Sequence, residues 1–140
     1  MILLDTNVVS ELLRPKPGEN VLAWFAANAR LPMYISTISE AELWLGVYSL
    51  PEGNRRATIE SDIAEILRED FAGHIVQFDS KAALAYGQIY GKRKALGRPI
   101  SREDCQIASI AQVNRFSLAT RNVTDFEHCN ITLLNPWSGK

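Results

Sequence analysis

Hydrophobic positions in this chain alternate between two rhythms. Short apolar runs recur, each followed by a longer stretch with apolar residues three or four positions apart. Ile2-Leu3-Leu4 is the first run. It reads as a short strand buried on both faces, which suits the centre of a parallel sheet. Asp5 follows where that strand would emerge. Thr6 and Asn7 are turn and N-cap residues, and Val8 to Leu13 read as a helix. Arg14-Pro15-Lys16-Pro17-Gly18 is a stop and a loop. Val21, Leu22, Trp24, Phe25 and Ala29 then keep mostly helical spacing, and Met33 to Ile38 form a second strand. Ser39 opens a third helix that reaches about Leu50 and is broken by Pro51-Glu52-Gly53-Asn54.

A fourth helix runs from about Arg55 to Phe71, with an apolar stripe of Ile59, Ile63, Ile66, Leu67 and Phe71 and a stop at Gly73. Ile75 to Phe78 is a third strand. Asp79 or Ser80 caps an alanine-rich fifth helix that ends near Gly97. A sixth helix spans Ser101 to about Asn114, and strands follow at Phe116 to Ala119 or Thr120 and at Ile131 to Leu134. Alternating strands and helices predict an α/β fold with a parallel sheet. With no repeat, linker or low-complexity segment, residues 1–140 are expected to form a single domain.

Composition narrows the chemistry. A chain of 140 residues with 46% hydrophobic residues suits one globular core. No apolar run approaches the roughly 18 residues of a membrane helix, and no signal-peptide pattern is present, so a soluble, cytoplasmic protein is expected. Cys105 and Cys129 show no zinc-ligand spacing, and His74 and His128 belong to no ligand pair. Cys105 reads as a small buried apolar residue. The net charge of -1 gives no overall push toward nucleic acid. Lys92, Arg93, Lys94, Arg98 and Arg102, however, crowd a segment with no acid. They could hold a nucleic-acid backbone, or be a solvated helix end where cations suit the dipole. Arg121 has the same two readings, phosphate contact or surface residue. Trp24, Trp44 and Tyr48 could stack bases or belong to a core or dimer surface.

Four acids recur at comparable places. Asp5 follows the first strand, Glu42 lies in the first turn of the third helix, Asp104 lies in the first turn of the sixth, and Asp125 follows the fourth strand. Strand carboxyl ends and following helix amino ends share one edge of a parallel sheet, the edge where such sheets place ligands. Four carboxylates gathered there repel one another unless a divalent cation neutralises them. Oxygen ligands without His or Cys favour magnesium or manganese, ions that activate water in phosphodiester cleavage. Each acid also has a structural reading. Ser39-Glu40-Ala41-Glu42 fits a capping box, Ser101-Arg102-Glu103-Asp104 fits a helix start, and Asp125 fits a turn.

Four segments, in order, resemble the PIN-domain toxins of the VapC/FitB type. They are Ile2-Leu3-Leu4-Asp5-Thr6-Asn7, Ser39-Glu40-Ala41-Glu42-Leu43-Trp44, Ser101-Arg102-Glu103-Asp104-Cys105-Gln106 and Ala119-Thr120-Arg121-Asn122-Val123-Thr124-Asp125. Leu134-Asn135-Pro136-Trp137 resembles the end of such proteins. Cys105 and Gln106 depart from the small or apolar residues usual there. The resemblance implies a three-layer α/β/α PIN-like fold on a central, mainly parallel sheet of about five strands. It implies that Asp5, Glu42, Asp104 and Asp125 are the metal-binding and catalytic acids, supported by Thr6, Asn7, Thr120 and Asn122. It further implies a Mg2+- or Mn2+-dependent endoribonuclease, the toxin of a type II toxin–antitoxin pair. Its partners would be an RNA substrate, a cognate antitoxin with a DNA-binding part, operator DNA through that antitoxin, and a second copy in a homodimer. A subunit of a DNA-bound repressor complex with secondary nuclease activity is the alternative. An aspartyl phosphatase is disfavoured because Asn7 stands where Asp-x-Asp would need an acid.

Overall fold

The computed structural model describes residues 1–138. Five parallel strands form one sheet: β1 (Ile2–Leu4), β2 (Met33–Ser36), β3 (Ile75–Val76), β4 (Ser117–Ala119) and β5 (Leu133–Leu134), in the order β3-β2-β1-β4-β5. β1 is central, as its unbroken apolar run predicts, and its three residues are buried. Six α-helices accompany the sheet: α1 (Thr6–Leu12), α2 (Glu19–Ala27), α3 (Thr37–Tyr48), α4 (Asn54–Glu65), α5 (Ser80–Ala95) and α6 (Arg102–Asn114).

The pleat of β1 divides the core. Successive side chains on a strand point to opposite faces. Leu3 packs with Ala82 and Ile89 of α5 and Ile107 and Ile110 of α6. Ile2 and Leu4 pack on the other face with Val8 of α1, Trp24 of α2, Leu43 of α3 and Ile63 of α4. The result is three layers with the sheet in the middle. Trp24 is buried and Trp44 packs against this second cluster, so both serve the core. Tyr48 is exposed, hydrogen-bonded to Glu60 and covered by Arg56 at 4.7 Å.

Several boundaries differ from the sequence expectation. α1 begins at Thr6 because Asp5 itself is the cap, its Oδ1 accepting from the Thr6 amide at 2.8 Å. β2 stops at Ser36 and α3 starts two residues before Ser39. The fully buried Ser36 takes the Ser39 amide at 3.0 Å, which overrides the strand preference of Thr37 and Ile38. The expected fourth helix is α4 followed by a π-helical turn over Ile66–Asp70. β3 and β5 are shorter than expected, and Asp125 lies in a 3-10 turn, Val123–Phe126, instead of an open loop. No helix among the described residues is long and apolar enough to cross a membrane.

Candidate active site

The carboxyl end of β1 delivers Asp5 into the mouth of a cleft of about 510 Å³. Its main chain is tied to the sheet through its N–H, which donates to the Ala119 carbonyl at 2.9 Å. Its side chain is fixed at both oxygens. Oδ1 caps α1, and Oδ2 accepts from the Thr120 hydroxyl at 2.7 Å. The Thr120 hydroxyl in turn accepts from the Asn122 amide at 3.1 Å. A single hydroxyl thus orients the carboxylate and shapes the turn after β4.

Glu42 reaches the same cleft from α3. It is not a capping residue: α3 is capped by Ser36, and Glu42 sits in the second turn. Its Oε1 accepts from the Thr6 hydroxyl at 2.8 Å, and that hydroxyl lies 2.9 Å from Ser39 Oγ. Ser39 is buried and lies 3.4 Å from Ser36 Oγ. Each hydroxyl carries one proton and two lone pairs, so the Ser36–Ser39–Thr6 chain can end in a proton donated to Glu42.

Asp104 enters from the first turn of α6, where its amide donates to the Ser101 cap at 3.2 Å. Asp5, Glu42 and Asp104 line the cleft together, with Asn7 and Asn122. Asp125 does not line it. Its carboxylate is exposed and borders a neighbouring hollow of about 220 Å³, which it shares with Asp104 and Ser101. Asp104 therefore joins the two spaces. Asn7 contributes as a brace, its Oδ1 accepting from the Arg121 amide at 3.4 Å.

The acids feel one another. Burial holds the Asp5 carboxyl above the ordinary carboxylate range, and Glu42 and Asp125 push it the same way, against the hydrogen bonds from Thr120 and Thr6. Asp104 is pushed up to about 6 by burial and then by the Asp5 charge, with Asp125 and Glu42 adding to it and the Ser101 hydrogen bond opposing. Among the described residues, no three Asp, Glu, His or Cys side chains are drawn into a ready metal-ligand group. The donor chemistry nevertheless fits a hard divalent cation. The acids and hydroxyls around the cleft offer oxygen alone, and mutual repulsion of the carboxylates is what a cation relieves.

The basic run divides. Arg93, read from sequence as a nucleic-acid contact together with its neighbours, is buried and turned inward. Its Nε donates to the Arg98 carbonyl at 2.7 Å, and Nη1 donates to the carbonyls of Asp125 and Glu127, both at 2.9 Å. The stripe Ala82, Ala85, Ile89, Arg93 is the buried face of α5, which carries Arg93 into the core. Lys92, Lys94, Arg98 and Arg102 are exposed and none lines the acidic cleft; Arg98 pairs with Glu127 at 3.2 Å. Arg121 does line it. So do Glu11, Arg14 and Trp137, to which the sequence does not point. The available signal is the spacing of Asn7, Ser10 and Glu11, which share one face of a helix, with Arg14 in the turn that follows it. Among the described residues, no buried side-chain nitrogen or oxygen lacks a partner.

Comparison with known proteins agrees with this architecture. The PIN domain family profile matches residues 2–129. Toxin FitB of Neisseria gonorrhoeae is 39% identical over 98% of this chain and 99% of its own length. VapC ribonuclease Y4jK of Sinorhizobium fredii is 36% identical over 98% of both chains. The solved structure of FitAB bound to an IR36 DNA fragment superposes with a TM-score of 0.89 at 38% identity, covering 98% of this chain and 96% of that one. A central Asp5 on a five-stranded parallel sheet, a whole-length family match and relatives of this likeness lead to one conclusion: the chain belongs to the PIN-domain family, among its VapC/FitB members.

Proposed function

We propose that the chain is a magnesium- or manganese-dependent endoribonuclease and the toxin of a type II toxin–antitoxin pair, working in the cytoplasm. The observation that carries this reading is the convergence of Asp5, Glu42 and Asp104 on one oxygen-lined cleft, with the Asp5 and Asp104 carboxyls both raised. Asp5, Glu42 and Asp104 would hold the ion, with Asp125 at the edge of the set. When bound, the ion supplies positive charge to the phosphate and acidifies a water. The chain's own part is positional. Thr120 and the Thr6 amide fix the two oxygens of Asp5, and the Thr6 hydroxyl fixes Glu42. Asn7 and Asn122 hold the turn that carries Thr120 against α1. One of the carboxylates would also serve as the base for a proton from the attacking water.

Partners follow from the relatives. One of them is a ribonuclease by name, and the FitB complex is solved on DNA. By that likeness the substrate is RNA. A cognate antitoxin would hold a homodimer of this chain on operator DNA. The FitAB–DNA complex also favours a second reading, in which repressor assembly is the main role and cleavage is secondary.

The test is direct. Purified protein should cut RNA only with magnesium or manganese. In the absence of RNA, either ion at a hundred times its Kd should stabilise the fold by about 2.7 kcal/mol. A melting temperature indifferent to both ions would remove the metal pocket. Absence of cutting despite ion binding would leave the repressor reading. Copurification from cells expressing the whole operon should yield a small DNA-binding partner.

A further inference from the structure

The cleft is not lined by acids alone. Asn7, Ser10 and Glu11, on one face of α1, and Arg14, from the turn after it, line the cleft beyond Asp5. α1 ends at Leu12, and Arg14 follows from the turn after its C-cap, its amide donating to the Glu11 carbonyl at 3.2 Å. Arg121 and Asn122, from the turn after β4, also line the cleft. The Arg121 guanidinium lies over the Trp137 ring at 5.1 Å. Trp137 is fixed in place, its amide donating to Asn135 Oδ1 at 3.0 Å and its carbonyl accepting from Asn20 at 3.1 Å.

Glu11 sits between the two cations. It is buried, accepts from the Gly18 amide at 2.9 Å, and pairs with Arg14 at 3.2 Å. Its carboxyl is held below the ordinary range by the Gly18 amide first, then by Arg14 and by the charge of Arg121. One carboxylate already committed to an amide and to Arg14 cannot also neutralise Arg121, which forms no ion pair among the described residues. The Arg14–Glu11–Arg121 cluster therefore keeps a surplus positive charge beside the aromatic face of Trp137. A phosphodiester with a neighbouring base fits both features. Guanidinium forks match phosphate oxygens, and bases stack on aromatic and guanidinium planes.

We infer that Arg14, Arg121 and Trp137 form a subsite for a backbone phosphate and adjoining base of single-stranded RNA, next to the phosphate held over the acids. The inference rests on the nuclease reading and deepens it.

The test measures binding of a fluorescent ten-nucleotide RNA in EDTA across a range of salt, without cleavage. Each phosphate contact of a single strand contributes about 0.7 to the slope of log affinity against log salt. Arg121→Gln and Arg14→Gln should each flatten that slope by about 0.7 and weaken binding roughly tenfold at low salt. Arg55→Gln, an exposed arginine on α4 outside the cleft, serves as the charge control and should leave the slope unchanged. A neutral methylphosphonate at the contacted position should abolish the difference between wild type and Arg121→Gln. Unaltered slopes in both cleft variants, with wild-type cleavage intact, would overturn the subsite and leave the nuclease standing. Unaltered RNA binding with weakened antitoxin binding would overturn it in favour of a protein occupant. A wild type that neither binds nor cuts RNA would overturn the nuclease reading and the subsite together.

Discussion

Asp5 and Asp125 stand on two sides of Asp104 and are positioned by opposite means. Asp5 is held through its side chain: a buried carboxylate, a backbone amide on one oxygen and the Thr120 hydroxyl on the other. Asp125 is held through its main chain. Arg93 grips the carbonyls of Asp125 and Glu127 while the Asp125 carboxylate stays exposed. One acid is preset by the sheet, and the other is carried on a segment clamped from below. The difference separates where precision is needed from where reach is needed. A carboxylate with both oxygens committed can serve only a fixed geometry. One whose backbone alone is fixed can swing.

The strongest way to break this contrast is Asp5→Asn. The amide still caps α1, so the circular dichroism spectrum and melting temperature should hold. RNA cleavage should fall roughly 10^3-fold or more, the scale of removing a preorganised charge from a reacting centre. Persistent cleavage would reduce Asp5 to a helix cap.

The comparison sharpens when the two holders are removed in turn. Thr120→Val strips Asp5 Oδ2 and the Asn122 amide of their partner. It should lower cleavage about 10–100-fold, the usual effect of losing an outer-shell orienting group. It should also destabilise the fold by about 1–3 kcal/mol, because a buried acceptor is left unpaired. Arg93→Lys keeps the charge but cannot reach the carbonyls of Arg98, Asp125 and Glu127 together. Its stability loss should be similar, about 2 kcal/mol, with a much smaller loss of activity. Equal activity losses in the two variants would mean that Asp125 is as tightly specified as Asp5.

The smallest effect is a pH dependence in EDTA. The Asp104 carboxyl rises from an ordinary 3.8 to about 6 in the fold. A raised carboxyl means that the native state binds this proton more tightly than the unfolded chain. The stability it contributes is therefore full below about pH 4 and is lost as pH rises through about 6. Asp104→Asn should remove that dependence, and its stability relative to wild type should rise by about 1–2 kcal/mol between pH 4 and 7, allowing for solvent screening. Parallel pH profiles for the two proteins would show that Asp104 stands apart from the other acids.

The sequence made some of this legible, for physical reasons. Three unbroken apolar residues before Asp5 can only be buried on both faces, so a central strand with an acid at its end was readable. Ser101 and Asp104 were readable because a cap and its first turn are local. Glu42 has two readings in the sequence, cleft acid and capping-box partner of Ser39, and the structure removes the second. Ser39 and Glu42 satisfy a capping pattern, yet Ser36 satisfies the same need for α3, and burial of Ser36 at the end of β2 decides between them. Arg93 was hidden by its company. Two lysines flank it, and only its register with Ala82, Ala85 and Ile89 shows that it points inward. The contact of Arg121, after β4, with Trp137, after β5, arises only through the fold.

The edges of the sheet carry one more consequence. β3 and β5 are each two residues long, Ile75–Val76 and Leu133–Leu134. So short a row of free amides and carbonyls gives another chain almost nothing to extend, and the sheet cannot grow sideways into a fibre or a continuous double sheet. The helix layers offer apolar side chains instead, with Leu45 and Tyr48 of α3 and Leu84 of α5 open to solvent. A second chain thus finds contact area on the helix layers and little to pair with at the sheet edges.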